Sequence, residues 1–277
     1  MPRKIISKEL EQEIIEYYLS QPMTMKQVED KYNLSHPTIT KILKDVPKYS
    51  KAKMNNPEMK EHFFEKIDNE NSAYFLGLLI SDGNIFKDKT SGRQASISIT
   101  LNAEDEYILE KFKNVLQSNT TVSYDGRGCA QIAVRSNIMA NDLSNYGVIP
   151  RKSYDTYLPK ISKEMMPHVI RGIFDGDGSI IAKPSPKDDG RNRFLHSISF
   201  CGSHQLMEDI SKYLLEHLDI KSTIYDYKDR RLSELKIQTI SGIMKLGCWM
   251  YKDSTIFLIR KKNIFDIFLI HYSNIFK

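Results

Sequence analysis

Two aspartates 95 residues apart, Asp82 and Asp177, are the side chains of this sequence best placed for chemistry. Each closes an apolar decapeptide and is followed by glycine. The first reads Tyr74-Phe75-Leu76-Gly77-Leu78-Leu79-Ile80-Ser81-Asp82-Gly83 and the second Val169-Ile170-Arg171-Gly172-Ile173-Phe174-Asp175-Gly176-Asp177-Gly178. Both read as core helices stopped by a glycine just past the end. A carboxylate there is unfavourable, because the C-terminal end of a helix already carries partial negative charge. Gly77 and Gly172 would let two such helices approach closely. If the helices pack side by side, Asp82 and Asp177 meet at a common end and repel, and a divalent cation removes the repulsion. Hard oxygen donors suit Mg²⁺ or Mn²⁺. One Asp-Gly is ordinarily a turn after a core helix, whereas a matched pair in a repeat points to a shared site. A cation held there, with positive charge close by, is the equipment of phosphodiester hydrolysis.

The elements that must position these residues are duplicated. After each decapeptide comes an alternating strand, Ser96–Leu101 in the first unit and Ser197–Phe200 in the second. A helix follows, Asp105–Gln117 and then Gln205–Leu218. Two strands come next, Thr121–Tyr124 and Gln131–Arg135, then Thr223–Tyr227 and Leu235–Thr239, and a helical stretch closes each unit. The fold class is α+β, a duplicated αββαββα arrangement with pseudo-twofold symmetry. Segment 183–193, rich in Pro, Asp, Gly and Arg, reads as a loop that reaches along a phosphate backbone or as a hairpin tip.

The paired decapeptides resemble the two motifs of the LAGLIDADG homing endonucleases. The second is close to the usual form, with Gly172, Asp175, Gly176, Asp177 and Gly178 in place; the first departs from it at Ile80 and Ser81. The resemblance spans roughly residues 70–275 and implies a monomeric saddle that cuts both strands of a long specific DNA site, leaving short 3′ overhangs. It implies metal binding at Asp82 and Asp177, with the adjoining Ser81 and Gly176 in the same set. The family carries a basic residue late in each repeat, and the segments Gly147–Ser153 and Phe257–Lys262 are similar to those stretches. Lys152 and Lys261 take that role, with Arg151, Arg260 and Lys262 as neighbouring alternatives. Two rivals share the resemblance: a regulator that binds DNA without cutting, and an RNA maturase that assists splicing.

The alternating strands supply a polar face able to lie in a major groove. Its candidate DNA-binding residues are Ser98, Thr100, Asn102, Gln131 and Arg135 in the first repeat, and Ser199, Lys236 and Gln238 in the second. Alternation of this kind is equally the ordinary mark of a half-buried sheet.

Residues 1–46 read as three short helices, over Ser7–Ser20, over Met25–Lys31 and from Ser35 onward. Val28, Tyr32, Leu34, Ile39, Ile42 and Leu43 have the spacing of two helices packed across a tight turn, which resembles the helix-turn-helix of recombinases and transposases. His36, Thr38, Thr40 and Lys41 are expected on its exposed face as DNA contacts. Residues 47–66 read as a linker containing a short helix from Glu58 to Lys66, followed by repeats over 67–160 and 161–277.

Bulk properties are consistent with this. The chain has 277 residues, 40% apolar content and a formal charge of +5. That suits a packed, multi-domain protein with a nucleic-acid partner. Cys129, Cys201 and Cys248 are too widely spaced to show a zinc site or a disulfide framework. With neither a signal peptide nor a membrane-length apolar run, a soluble intracellular protein is expected.

Overall fold

The computed structural model describes residues 6–46, 56–87, 93–150, 156–186, 192–227 and 232–273. The chain divides into two units, Met1–Met59 with Gln117–Asn119, and Lys60–Leu116 with Thr120–Lys277.

The first unit holds helices α1 (Lys8–Ser20), α2 (Met25–Tyr32) and α3 (His36–Ile42). Local chemistry sets their ends. Ser7 accepts a hydrogen bond from Leu10 N, and Thr24 and Gln27 form a reciprocal capping box. Asn33 takes the left-handed conformation (φ 50°) that turns the chain between α2 and α3. Ile14, Tyr18, Met23, Val28, Ile39 and Leu43 form the small core.

The second unit contains the duplication. Its first half runs through α4 (Glu70–Ser81), β1 (Gly83–Phe86), β2 (Ser96–Asn102), α5 (Glu106–Val115), β3 (Ser123–Tyr124), β4 (Cys129–Arg135) and α6 (Asn137–Ser144). The second half repeats the order as α7 (Met166–Asp177), β5 (Gly178–Pro186), β6 (Asn192–Gly202), α8 (His204–Leu218), β7 (Thr223–Tyr227), β8 (Leu232–Ile237) and α9 (Ile240–Tyr251), then adds α10 (Ile259–Ser273). Each half has one four-stranded antiparallel sheet of the same order, β1-β2-β4-β3 and β5-β6-β8-β7. The αββαββα duplication expected from the sequence is therefore the observed architecture.

Three expectations need correction. Glu58–Lys66 is not a helix: Phe63 N bonds to Lys60 O and Glu65 N to His62 O, contacts that close turns only. Nor are residues 60–66 linker, since Phe64 is fully buried and faces Phe112 at 6.5 Å between ring centres. The 183–193 segment is largely sheet. Lys183–Pro186 pairs with Asn192–Leu195, and Pro184 and Pro186 are tolerated because β5 is an edge strand. Residues 187–191 lie outside the described residues.

Candidate nuclease centre

Helices α4 and α7 cross on their glycines. A Cβ built on Gly77 would stand 2.1 Å from Val169 O, and one on Gly172 would stand 2.1 Å from Tyr74 O. Backbone therefore lies directly against backbone, which no other residue permits. The glycines after the aspartates are needed for a different reason from the one expected. Gly178 is extended (φ −93°, ψ 163°), not left-handed. A Cβ there would meet Phe174 O at 2.4 Å, and one on Gly83 would meet Leu79 O at 2.5 Å. The chain leaves each helix so close to the preceding turn that a side chain has no room.

This crossing gathers the helix ends. Asp82 caps α4 and is half-buried; Asp177 is the last residue of α7 and is exposed. A Cβ on Gly176 would stand 3.0 Å from Asp82 Oδ2 and 2.0 Å from Ser81 Oγ. The Asp82 carboxylate thus lies over Gly176, one residue from Asp177. A cavity of 240 Å³ opens beside them, lined by Ser81, Asn84, Ile149, Asp177, Gly202 and Leu232 among others. The Ser81 hydroxyl donates back to Leu78 O (3.1 Å), so its side chain serves the helix end.

Lys261, near the start of α10, is 4% exposed and does not reach toward solvent. Its Nζ donates to Phe174 O (2.6 Å), Asp175 O (2.8 Å) and Gly178 O (2.6 Å), with Gly176 O at 3.5 Å. Asp175 O and Gly176 O belong to the last turn of α7, whose carbonyls lack intrahelical partners; Phe174 O also accepts from Gly178 N, and Gly178 O belongs to the first residue of β5. Burial pulls the Lys261 pKa down to about 8, while Asp175, Asp82 and Asp177 pull the other way. The lysine therefore senses both site aspartates. Lys152 and Arg151 lie outside the described residues. Arg260 pairs with Asp105 (2.9 Å) and Lys262 with Asp266 (2.6 Å).

A polar network inside the unit was not anticipated. Asp175 is 1% exposed and its Oδ2 accepts from Tyr74 Oη (2.9 Å) and Leu258 N (2.8 Å). Burial raises its pKa to about 6, although those donors, Lys261 and Arg171 lower it. Arg171, fully buried, donates to Glu70 Oε1 (2.7 Å), Ile256 O (2.8 Å) and Met250 O (2.5 Å). Glu70 also accepts from Thr255 N and Oγ1. Together these groups tie α4 and α7 to the segment that delivers Lys261.

The sheet candidates are less uniform than their alternation suggested. Thr100, Asn102, Gln131 and Arg135 are exposed, and Gln131 Nε2 donates to Thr100 Oγ1 (2.9 Å) across the register. The Asn102 side chain caps the following turn, its Oδ1 accepting from Glu104 N. Ser98 and Ser199 are only 9% and 7% exposed, being short side chains on strands flanked on both sides. Lys236 is half-buried opposite Ser199, and Gln238 lies exposed just beyond β8. In α3, Lys41 is exposed, and His36, also exposed, bonds Glu29 at 2.5 Å. Thr38 and Thr40 are half-buried, contrary to expectation: Thr38 Oγ1 lies 2.9 Å from the Ser35 hydroxyl, and Thr40 Oγ1 is enclosed.

Comparison with known proteins bears directly on this arrangement. Residues 165–245 match the family model of the LAGLIDADG-like domain. No curated protein matches the chain by sequence. Among solved structures, the LAGLIDADG meganuclease I-AabMI bound to uncleaved DNA is similar at 13% identity and a TM-score of 0.55, covering 75% of this chain and 91% of that one. I-SmaMI bound to cleaved DNA gives 13% identity and 0.52, covering 75% and 91%. I-SmaMI bound to an uncleaved DNA target with calcium ions gives 12% and 0.52, covering 75% and 92%.

The fold is the LAGLIDADG fold.

Within it, the LAGLIDADG helices are α4 and α7, and Asp82 and Asp177 are their terminal aspartates. The sequence did carry a trace of the polar network. Arg171 and Asp175 are four residues apart in an otherwise apolar LAGLIDADG helix, and two opposite charges on one buried helix face need partners. The partners themselves, Glu70, Tyr74 and Leu258 N, come from remote positions, and periodicity contains no information about them.

Proposed function

We propose that this chain is a divalent-metal-dependent endonuclease that cuts both strands of a long, specific DNA site. The observation that carries the reading is the meeting of Asp82 and Asp177 at the common end of two helices crossed on glycine. The residues fit a hard cation. The Asp82 carboxylate lies where Gly176 leaves space, next in sequence to Asp177, with Ser81 beside it. Among the described residues no group of three or more His, Cys, Asp and Glu side chains is gathered, so these two carboxylates would share the ion with backbone and DNA oxygens. When bound, Mg²⁺ or Mn²⁺ would polarise the scissile phosphate and lower the pKa of attacking water.

The chain's own residues do the remaining work. Asp82 and Asp177 hold negative charge at fixed positions, one from each half, which suits cutting two strands. Lys261 neutralises the carbonyl end of α7 and so keeps Asp177 in place; Lys152 is its proposed counterpart as a basic residue in the first half. Thr100, Gln131, Arg135 and Lys236 offer donors and acceptors to base edges and phosphates. The N-terminal helices would add contacts outside the sheets and so lengthen the site.

The test is incubation of a randomised duplex library with the protein and Mg²⁺ or Mn²⁺, followed by sequencing of cut ends. Specific double-strand cuts are expected, lost in EDTA and in Asp82→Asn and Asp177→Asn. Specific binding without cutting under several divalent metals would replace the enzyme with a DNA-binding regulator.

A further inference from the structure

The strand register places one carboxylate where a DNA-facing surface should have none. On β8, Ser233, Leu235 and Ile237 are buried against the core, while Leu232, Glu234 and Lys236 point the other way. Register aligns Lys236 with Ser199 and Thr223, and Glu234 with Cys201 and Tyr225. Among the described strand residues, Glu234 is the only carboxylate on the outward face of either sheet. The nearest other strand acid, Asp226, pairs with the inward-facing Ser233 and takes its hydroxyl hydrogen bond (2.7 Å).

Glu234 is also held in one pose. Tyr227 Oη donates to its Oε2 at 2.9 Å, leaving Oε1 to address a partner. The Cys201 thiol opposite it has its pKa raised by burial first and then by the Glu234 and Asp177 carboxylates.

We propose that Glu234 reads a cytosine in the half-site facing the second sheet, which rests on the DNA-cutting function proposed above. A carboxylate facing phosphates is repelled unless it meets a donor, and the major groove offers only the amino groups of cytosine and adenine. Adenine sets its N7 acceptor beside that amino group, and guanine presents two acceptors, so cytosine is the base that suits an acceptor-only side chain. Position along the site follows from the strand. Leu232 lines the cavity beside Asp177. Glu234 pairs with Cys201, the residue next to the Phe200 that faces Gly178, so it stands level with the end of α7 that carries Asp177.

The test selects bound duplexes from a randomised library with Ca²⁺ present, for wild type, Glu234→Gln and Glu234→Ala, with thermal melts alongside. Wild type should prefer cytosine on the order of tenfold at one position in the half-site facing the second sheet. Glu234→Gln keeps an acceptor for Tyr227 and should shift that position toward adenine, the base that glutamine suits. Glu234→Ala should flatten that position and leave the others unchanged. If the profiles of all three proteins coincide, or if the changes spread evenly over the site, Glu234 only supports Tyr227 and the proposal is overturned. A wild type that selects no sequence would overturn the DNA-cutting function and, with it, this assignment.

Discussion

Replacing Gly172 with alanine sets helix propensity against packing, and the two predict opposite signs. In a helix interior alanine is favoured over glycine by about 1 kcal/mol. The new Cβ, however, would stand 2.1 Å from Tyr74 O and 2.7 Å from Leu78 N, whereas ordinary contact begins near 3.4 Å. The helices would have to part by roughly 1.3 Å at the crossing, and both obstacles are backbone that cannot rotate away. Overpacking of this kind costs about 3 kcal/mol. The net loss is then about 2 kcal/mol, or a melting temperature lower by roughly 4–8 °C for a unit of this size. Asp82 and Asp177 terminate the same helices, so cleavage should fall along with stability. Thermal and urea unfolding of Gly172→Ala would be compared with Gly202→Ala, whose new Cβ meets only side-chain carbons of Leu206 and Met207 at 3.2 Å. That control should stay within about 0.5 kcal/mol of wild type. A Gly172→Ala protein as stable as wild type would refute the close crossing and the placement of the aspartates that depends on it.

Other consequences can be measured separately. Glu70→Ala leaves fully buried Arg171 without its carboxylate, and urea titration should show a loss of about 3–5 kcal/mol. Lys261→Met strips a donor from three carbonyls at the end of α7 and should cost about 2 kcal/mol by the same assay, with cleavage reduced further than that loss alone explains. Asp175 gives a pH signature. Its pKa is raised from 3.8 to about 6, so the folded chain retains a proton there that the unfolded chain releases, and this stabilising contribution is fully present below pH 3.8 and lost as pH rises through about 6. The gap corresponds to roughly 3 kcal/mol at 1.36 kcal/mol per pH unit. Asp175→Asn has no such proton, so its stability relative to wild type should rise by about that amount between pH 4 and pH 7; a constant difference across that range would count against the buried, ionisable Asp175.

The amino-acid sequence by itself determined the repeat, the order of its elements and the identity of the two terminal aspartates. These are local properties: apolar runs of helical length, strands of period two, and an Asp-Gly at a fixed place in each. It also marked Gly77 and Gly172 as places of close approach, and the crossing bears this out. Tertiary structure alone decided where the remaining polar groups point. Nothing near Lys261 in sequence shows that it turns inward to cap α7, because the carbonyls it satisfies lie more than 80 residues away. The same separation hid the partners of Asp175 and Arg171. Alternation identified the polar face of each strand but not which residues on it are shielded, since Ser98 and Ser199 are enclosed only once their strands sit between two others in the sheet. Glycine after each aspartate was legible as a requirement, but its cause was not. The sequence suggests a helix terminator, whereas in the folded chain the strand leaving each helix passes within contact of the preceding turn. Periodicity records which face of an element is buried; which remote group it meets there is settled only when the two halves pack together.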